Sequence, residues 1–200
     1  MVVVGLLMFG WVPTGCADAS LEGSPTYSEL DQAIKGGTFQ QITSVLVAVN
    51  GEVLYEQYWD IGGPERLNDT RSATKSLTAI AVGAAVADGY IDNVDLPAFD
   101  FFEKERPYRF SSRLKDNITI KDLLTMSSSL DCDDNNWESP GNEGHMYPAR
   151  RWLYFVLDMP TVESYQRNEK GYGPFHYCTA GSFFLGQIVE RATGESIDTY

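Results

Sequence analysis

The sequence predicts an α+β protein, and three observations carry that expectation. A β-branched run from Ile42 to Val49 meets a second apolar run, Glu52 to Trp59, across Asn50-Gly51. Five or more helix-patterned segments follow it in the chain. The 200 residues are 43% hydrophobic and 22% charged, the proportions of a globular chain that can bury a core.

Taken in order, Ser28 is expected to start a helix that places Leu30 and Ile34 on one face and stops at Gly36-Gly37. Ile42 to Val49 is apolar on both sides, the pattern of a strand covered on both faces. Asn50 and Gly51 both tolerate positive φ and predict a tight hairpin, with Glu52 to Trp59 as its second strand. After a polar loop, Asp60 to Thr70, the helix Ser72 to Asp88 has no polar stripe and is expected to be wrapped on all sides. Gly89 closes it.

Pro97 starts a short helical turn into Phe101 and Phe102, and Glu103 to Asp116 reads as a charged surface excursion. Thr119 and Asp122 have the spacing of a capping box for a helix from Ile120 to Met126, which Ser127-Ser128-Ser129 ends. Asp131 to Gly144 reads as a long loop. Pro148 opens a helix through Met159 that buries Trp152, Phe155, Val156 and Met159. Thr179 is expected to cap a helix bearing Phe183, Phe184, Ile188, Val189 and Ala192 and ending at Gly194, with another helix beginning at Ser196. One hairpin is not a stable sheet, so the remaining strands are expected beyond Tyr200 and the chain reads as a fragment.

A formal charge of −13 repels phosphate backbones, which argues against nucleic acid as a partner. Met1 to Val12 is apolar but too short to span a bilayer, and Ala17-Asp18-Ala19 follows it. Residues 1–19 therefore read as a signal peptide for export, with 20–200 as the domain. The variant reading is a lipoprotein signal ending before Cys16. The two other cysteines, Cys132 and Cys178, are either a disulfide or two separate half-buried thiols.

The candidate chemistry lies at Ser72-Ala73-Thr74-Lys75, where a serine and a lysine fall one helical turn apart. A serine hydroxyl needs a group to take its proton, and a desolvated lysine can do so. The helix N-terminus adds positive potential, and the Ser72 N–H can serve an oxyanion. The pattern alone is weak. Ser112-Arg113-Leu114-Lys115 also fits it, and Ser72 as a helix cap beside a snorkelling Lys75 explains it equally.

Order along the chain adds weight. Arg71-Ser72-Ala73-Thr74-Lys75-Ser76 follows a hairpin containing Glu56-Gln57-Tyr58 and precedes Ile118-Thr119-Ile120-Lys121-Asp122-Leu123-Leu124-Thr125-Met126-Ser127-Ser128. This series resembles the class C β-lactamase and penicillin-binding-protein-like serine hydrolases over most of the chain. The resemblance implies a β-lactamase/transpeptidase-like fold, an antiparallel sheet flanked by helices plus an all-helical region. It also implies an acyl-enzyme on Ser72.

By the same resemblance, Tyr177-Cys178-Thr179 stands where the family carries Tyr-x-Asn. Tyr177 would then share the proton of Ser72 with Lys75, and Thr179 would face the substrate. Threonine in place of asparagine favours an esterase, amidase or peptidase over a true β-lactamase. The family's Lys- or His-x-Gly motif is not found. The rival readings are a non-catalytic β-lactam- or peptide-binding sensor on the same scaffold and an inactive fragment.

The expected partner is a small ester, amide or peptide, with no cofactor and no metal. Asp131, Asp133 and Asp134 lack the spacing of a calcium loop, and His145 and His176 are too few for zinc. His176 can still line the pocket beside Tyr177.

Overall fold

The computed structural model describes residues 27–200, so the expected signal segment, residues 1–19, lies outside the described residues. The chain divides at Ala73/Thr74 into two compact units.

In the first unit, α1 (Tyr27–Lys35) packs beside a hairpin of β1 (Ser44–Val49) and β2 (Glu52–Tyr58). Asn50 and Gly51 both adopt positive φ, 52° and 83°, so the turn carries the twist that the strands require. Leu54 is the extra residue where the register shifts between Val47↔Tyr55 and Ala48↔Val53. Asp31 ties helix to hairpin: its carboxylate accepts from Lys35 Nζ at 2.6 Å and Trp59 Nε1 at 3.1 Å. Tyr27 stacks on Tyr55 with ring centroids 4.5 Å apart.

The hairpin does not have two covered faces. Leu46, Val49, Val53 and Leu54 are exposed, because among the described residues the sheet has only these two strands.

The second unit is helical and centred on α7 (Thr179–Thr193), which buries Phe184, Leu185, Ile188 and Val189 and is the helix that the surrounding elements contact. Around it stand α2 (Thr74–Ala87), α4 (Ile120–Leu124), α5 (Glu143–Met146), α6 (Trp152–Leu157) and the 3-10 helix Ala98–Glu105. Phe184 is gripped by Phe99 and Phe102, with centroids 4.9 and 4.7 Å away. Offset aromatic packing of this kind adds to the area buried.

Several expectations are corrected here. Helix α2 begins at Thr74, and Ser72 falls in a 3-10 turn, Arg71–Ala73, that leads into it. The helix is not wrapped: it buries Val82 and Ala85, while Leu77 and Ile80 remain 60% and 67% exposed. An all-round apolar pattern states what a helix can bury, and among the described residues only one face is covered. Cys178, not Thr179, is the cap residue of α7, and Gly194 ends it in the left-handed conformation. The residues after Ser196 form a turn and no helix. Helix α6 starts at Trp152, which is 38% exposed and not buried, and α5 begins inside the last two residues of the expected long loop.

The stretch from Glu103 to Asp116 is not simply a surface excursion. It buries Tyr108 and Lys115, with α3 (Arg113–Asp116) capped by Ser112. The Lys115 side chain is 0% exposed; its ammonium donates to the Leu157 carbonyl at 2.8 Å and lies 5.5 Å from the centroid of Phe99. Burial lowers its pKa to about 8, against the pull of Asp158 and Asp116.

The expected capping box is present: Thr119 Oγ1 accepts from Asp122 N, and Asp122 Oδ2 accepts from Thr119 N. Asp122 is buried and also holds Arg167 through two bonds of 2.5 and 2.6 Å. Burial pushes its carboxyl up, but Arg167 and the Thr119 N–H outweigh that and hold it below the usual carboxylate range. No described helix is long and apolar enough to cross a membrane.

Two measurements test this interior. In urea denaturation, Arg167→Leu strands a buried carboxylate and should cost about 3–5 kcal/mol. Asp122→Asn leaves a half-exposed Arg167 that can turn to water, so it should cost less, about 1.5–3 kcal/mol. It should also remove the stability that the wild type loses as pH falls below the carboxylate range, since a depressed carboxyl stabilises only while ionised.

Lys115 works in the other direction. Between about pH 8 and its ordinary 10.5, the unfolded chain holds a proton that the folded chain has shed. Stability from this group therefore rises with pH. The melting temperature of the wild type should gain on that of Lys115→Met between about pH 8 and 10. Tyr108, pushed up to about 12 by burial, acts oppositely only above that window.

Candidate active site

Lys75 is the second residue of α2 and is partly buried, three residues after Ser72 in the chain. Ser72 lies in the exposed 3-10 turn that feeds the helix, and Arg71 before it adopts a φ of 49°. The Lys75 ammonium sits 5.0 Å from the centroid of the Tyr177 ring. Two of the residues singled out in the sequence, far apart in the chain, are therefore neighbours in the second unit.

Tyr177 belongs to an extended segment ahead of α7 and is fixed from several sides. Cys178, next to it, forms a disulfide with Cys132, with Cα atoms 5.5 Å apart. That choice between bonded and separate cysteines is settled by the fold. The Tyr177 carbonyl accepts from Asp134 N at 2.8 Å, and His176 N donates to the Met126 carbonyl at 2.9 Å. This second bond attaches the segment to the end of α4, so the block around Thr119 to Ser128 supports Tyr177.

Asp134, in the stretch expected to be a long loop, organises this corner. Its Oδ2 accepts from Thr179 N at 2.7 Å and its Oδ1 from Glu143 N at 2.8 Å. The carboxylate thus caps two helix starts, α7 and α5, where unpaired N–H groups and positive potential favour an anion. Thr179 Oγ1 donates to Glu143 Oε2 at 3.0 Å, and Tyr147 OH donates to the same oxygen. The hydroxyl of Thr179 is consequently held as an acceptor toward anything else.

No spacing rule marks Asp134 or Glu143. Asn142, a capping residue type that accepts from Gly144 N, is the local signal from which the start of α5 could have been found.

Asp133 binds Asn135 N and lies 3.3 Å from His176 Nδ1. The Asn135 N–H, and then His176, hold its carboxyl below the usual range despite partial burial. Asp131 Oδ1 takes the Ser139 hydroxyl. Among the described residues no group of three or more His, Cys, Asp and Glu is placed to hold a metal ion. Gly141 lets this loop close on itself: a Cβ there would lie 2.6 Å from the Asp131 carbonyl and 2.8 Å from Cys132 Cα. Trp137, exposed, packs at a tilt against His145, and Trp152 meets Phe183 edge-on.

The second Ser-x-x-Lys is built differently. Ser112 caps α3 by accepting from Lys115 N and contacts Thr161 Oγ1, while the Lys115 ammonium turns to Leu157. That lysine serves the core.

A sequence model of the β-lactamase family matches residues 30–200. The 6-aminohexanoate-dimer hydrolase of Paenarthrobacter ureafaciens is 27% identical over 164 residues, 78% of this chain and 40% of that protein. Among solved structures, a Bacillus anthracis protein assigned as a 6-aminohexanoate-dimer hydrolase superposes with a TM-score of 0.60 at 16% identity, over 87% of this chain and 44% of its own. FmtA from Staphylococcus aureus superposes with a TM-score of 0.60 at 18% identity, over 88% of this chain and 46% of its own. The chain thus spans less than half the length of these relatives. At such identities the two structures speak for a shared fold.

The grip of Asp134 on this corner is testable by hydrogen exchange. Asp134→Ala should speed exchange of the Glu143 and Thr179 amides about 10- to 100-fold, as expected for losing bonds to a charged acceptor. Amides of Ile188 and Val189, deep in α7, should be unchanged.

Proposed function

Since the chain belongs to the β-lactamase family, we propose that it acts as a serine hydrolase through an acyl-enzyme on Ser72. The observation that carries this reading is the Lys75 ammonium beside the Tyr177 ring, in a corner clamped by the disulfide and by Asp134. Ser72 Oγ attacks the substrate carbonyl carbon, and its proton passes to the Lys75–Tyr177 pair. That pair returns a proton to the leaving amine or alcohol as the scissile bond breaks. Water then attacks the acyl carbon while giving a proton to the pair, the bond from that carbon to Ser72 Oγ breaks, and the pair returns the proton to Oγ as the acid leaves. The 3-10 turn Arg71–Ala73 offers the Ser72 N–H to the oxyanion.

An amide or ester is the substrate class that the residues favour. The relative from Paenarthrobacter is named for hydrolysing a 6-aminohexanoate dimer, and Thr179 in place of asparagine points away from β-lactams. A second reading, a sensor that binds such compounds without turnover, draws on a different observation: the Thr179 hydroxyl is engaged by Glu143. We place the chemistry outside the cytoplasm. The apolar start Met1 to Val12 with Ala17-Asp18-Ala19 and the Cys132–Cys178 bridge support export.

A fluorophosphonate should label the protein on Ser72, and Ser72→Ala should abolish labelling. Lys75→Met and Tyr177→Phe should slow it about 10²- to 10⁴-fold, the usual worth of a positioned acid–base group. Turnover of a p-nitrophenyl acyl ester separates an enzyme from a sensor. Absence of label at Ser72 removes the assignment.

A further inference from the structure

Basic residues are scarce in this chain, 15 against 28 acidic ones. Arg66, Arg71, Arg106, Arg167 and Arg191 are each drawn against an Asp or Glu. Arg109, Arg150 and Arg151 behave otherwise. They line one pocket of about 470 Å³ in the second unit, within the range of small-molecule sites. Arg109 arrives from the stretch before α3, and Arg150 and Arg151 from the residues just ahead of α6. Among the described residues, none of these three guanidinium groups makes an ion pair or a hydrogen bond.

The pocket wall contains a single acid, Asp158. Its Oδ1 is taken by the Arg109 N–H at 2.7 Å, so its charge offsets part of the excess without holding a guanidinium. Two of the arginines are set in place by aromatic faces. Arg151 Cζ lies 3.7 Å from the centroid of Tyr154, and Arg109 Cζ lies 5.2 Å from that of Phe110. Stacking of this sort occupies the guanidinium face and leaves its N–H edge uncommitted. Gathering three like charges without partners raises the energy of the free protein, and a bound anion reverses that cost.

We propose that this pocket binds a small organic carboxylate with a flat apolar body. The guanidinium edges of Arg150 and Arg151 fork the carboxylate, and the body lies against Phe110 and Tyr154. The −13 net charge of the chain opposes every anion alike, and an apolar body offsets that cost through contacts with Phe110 and Tyr154 that a bare anion cannot make. The lining shares no residue with Ser72, Lys75, Tyr177 or Thr179, so this site stands apart from the hydrolase assignment.

The test is a titration of the full chain followed by NMR at fixed ionic strength, with benzoate, benzamide and inorganic phosphate as probes. Benzoate should saturate and shift the Arg109, Arg150, Arg151 and Tyr154 resonances. Benzamide and phosphate should each bind at least about 10-fold more weakly, and Arg150→Gln/Arg151→Gln should weaken benzoate about 10- to 100-fold. Arg109→Gln, from the other segment, gives the same readout if the double variant does not fold, and Arg113→Gln should change nothing. Benzamide matching benzoate, phosphate matching benzoate, failure to saturate, or indifference to the arginine substitutions each overturns the proposal.

Discussion

The candidate site depends on one clamp, the hold of the Asp131–Asn142 loop on the Tyr177–Thr179 segment. A disulfide closing residues 132 to 178 removes about 4 kcal/mol of chain entropy from the unfolded state in the loop-closure account. Covalent closure alone would leave the segment free to turn. Asp134 removes that freedom by accepting from the first N–H groups of two helices while its own N–H binds the Tyr177 carbonyl. Tyr177 therefore meets Lys75 on a backbone that is held at three successive residues.

The two Ser-x-x-Lys patterns show how little four residues decide. Each places a lysine after a serine at the same spacing. In one, the lysine is sealed in the core on Phe99 and Tyr108 and spends its proton donor on a carbonyl. In the other, it opens onto a phenol at the mouth of a longer helix. Burial lowers the pKa of Lys115, yet Ser112 faces Thr161 instead of that amine. A perturbed lysine is catalytic only if a nucleophile is within its reach.

Charge is distributed with the same economy. Carboxylates that look like a solvated acidic loop are helix caps and turn acceptors, and the buried Asp122 ties its own helix to Arg167. Most arginines answer such acids. The three arginines around Tyr154 do not, and they are gathered in one pocket of an acidic protein.

Sequence alone determined the features that one or two turns of chain can decide. Asn50-Gly51 must turn because both accept positive φ, Thr119 and Asp122 cap because their spacing matches two free N–H groups, and Gly194 ends α7 because a left-handed residue is needed there. The ordered motifs from Ser72 to Thr179 also announced the family before any coordinate. The tertiary structure decided the rest: the bonding of Cys132 to Cys178, the burial of Lys115, the capping work of Asp134 and Glu143, and the open faces of α2 and the hairpin. Each of these is a pairing between segments far apart in the chain, or the want of one. Local chemistry fixes what a residue can do, and only its distant neighbours fix what it does.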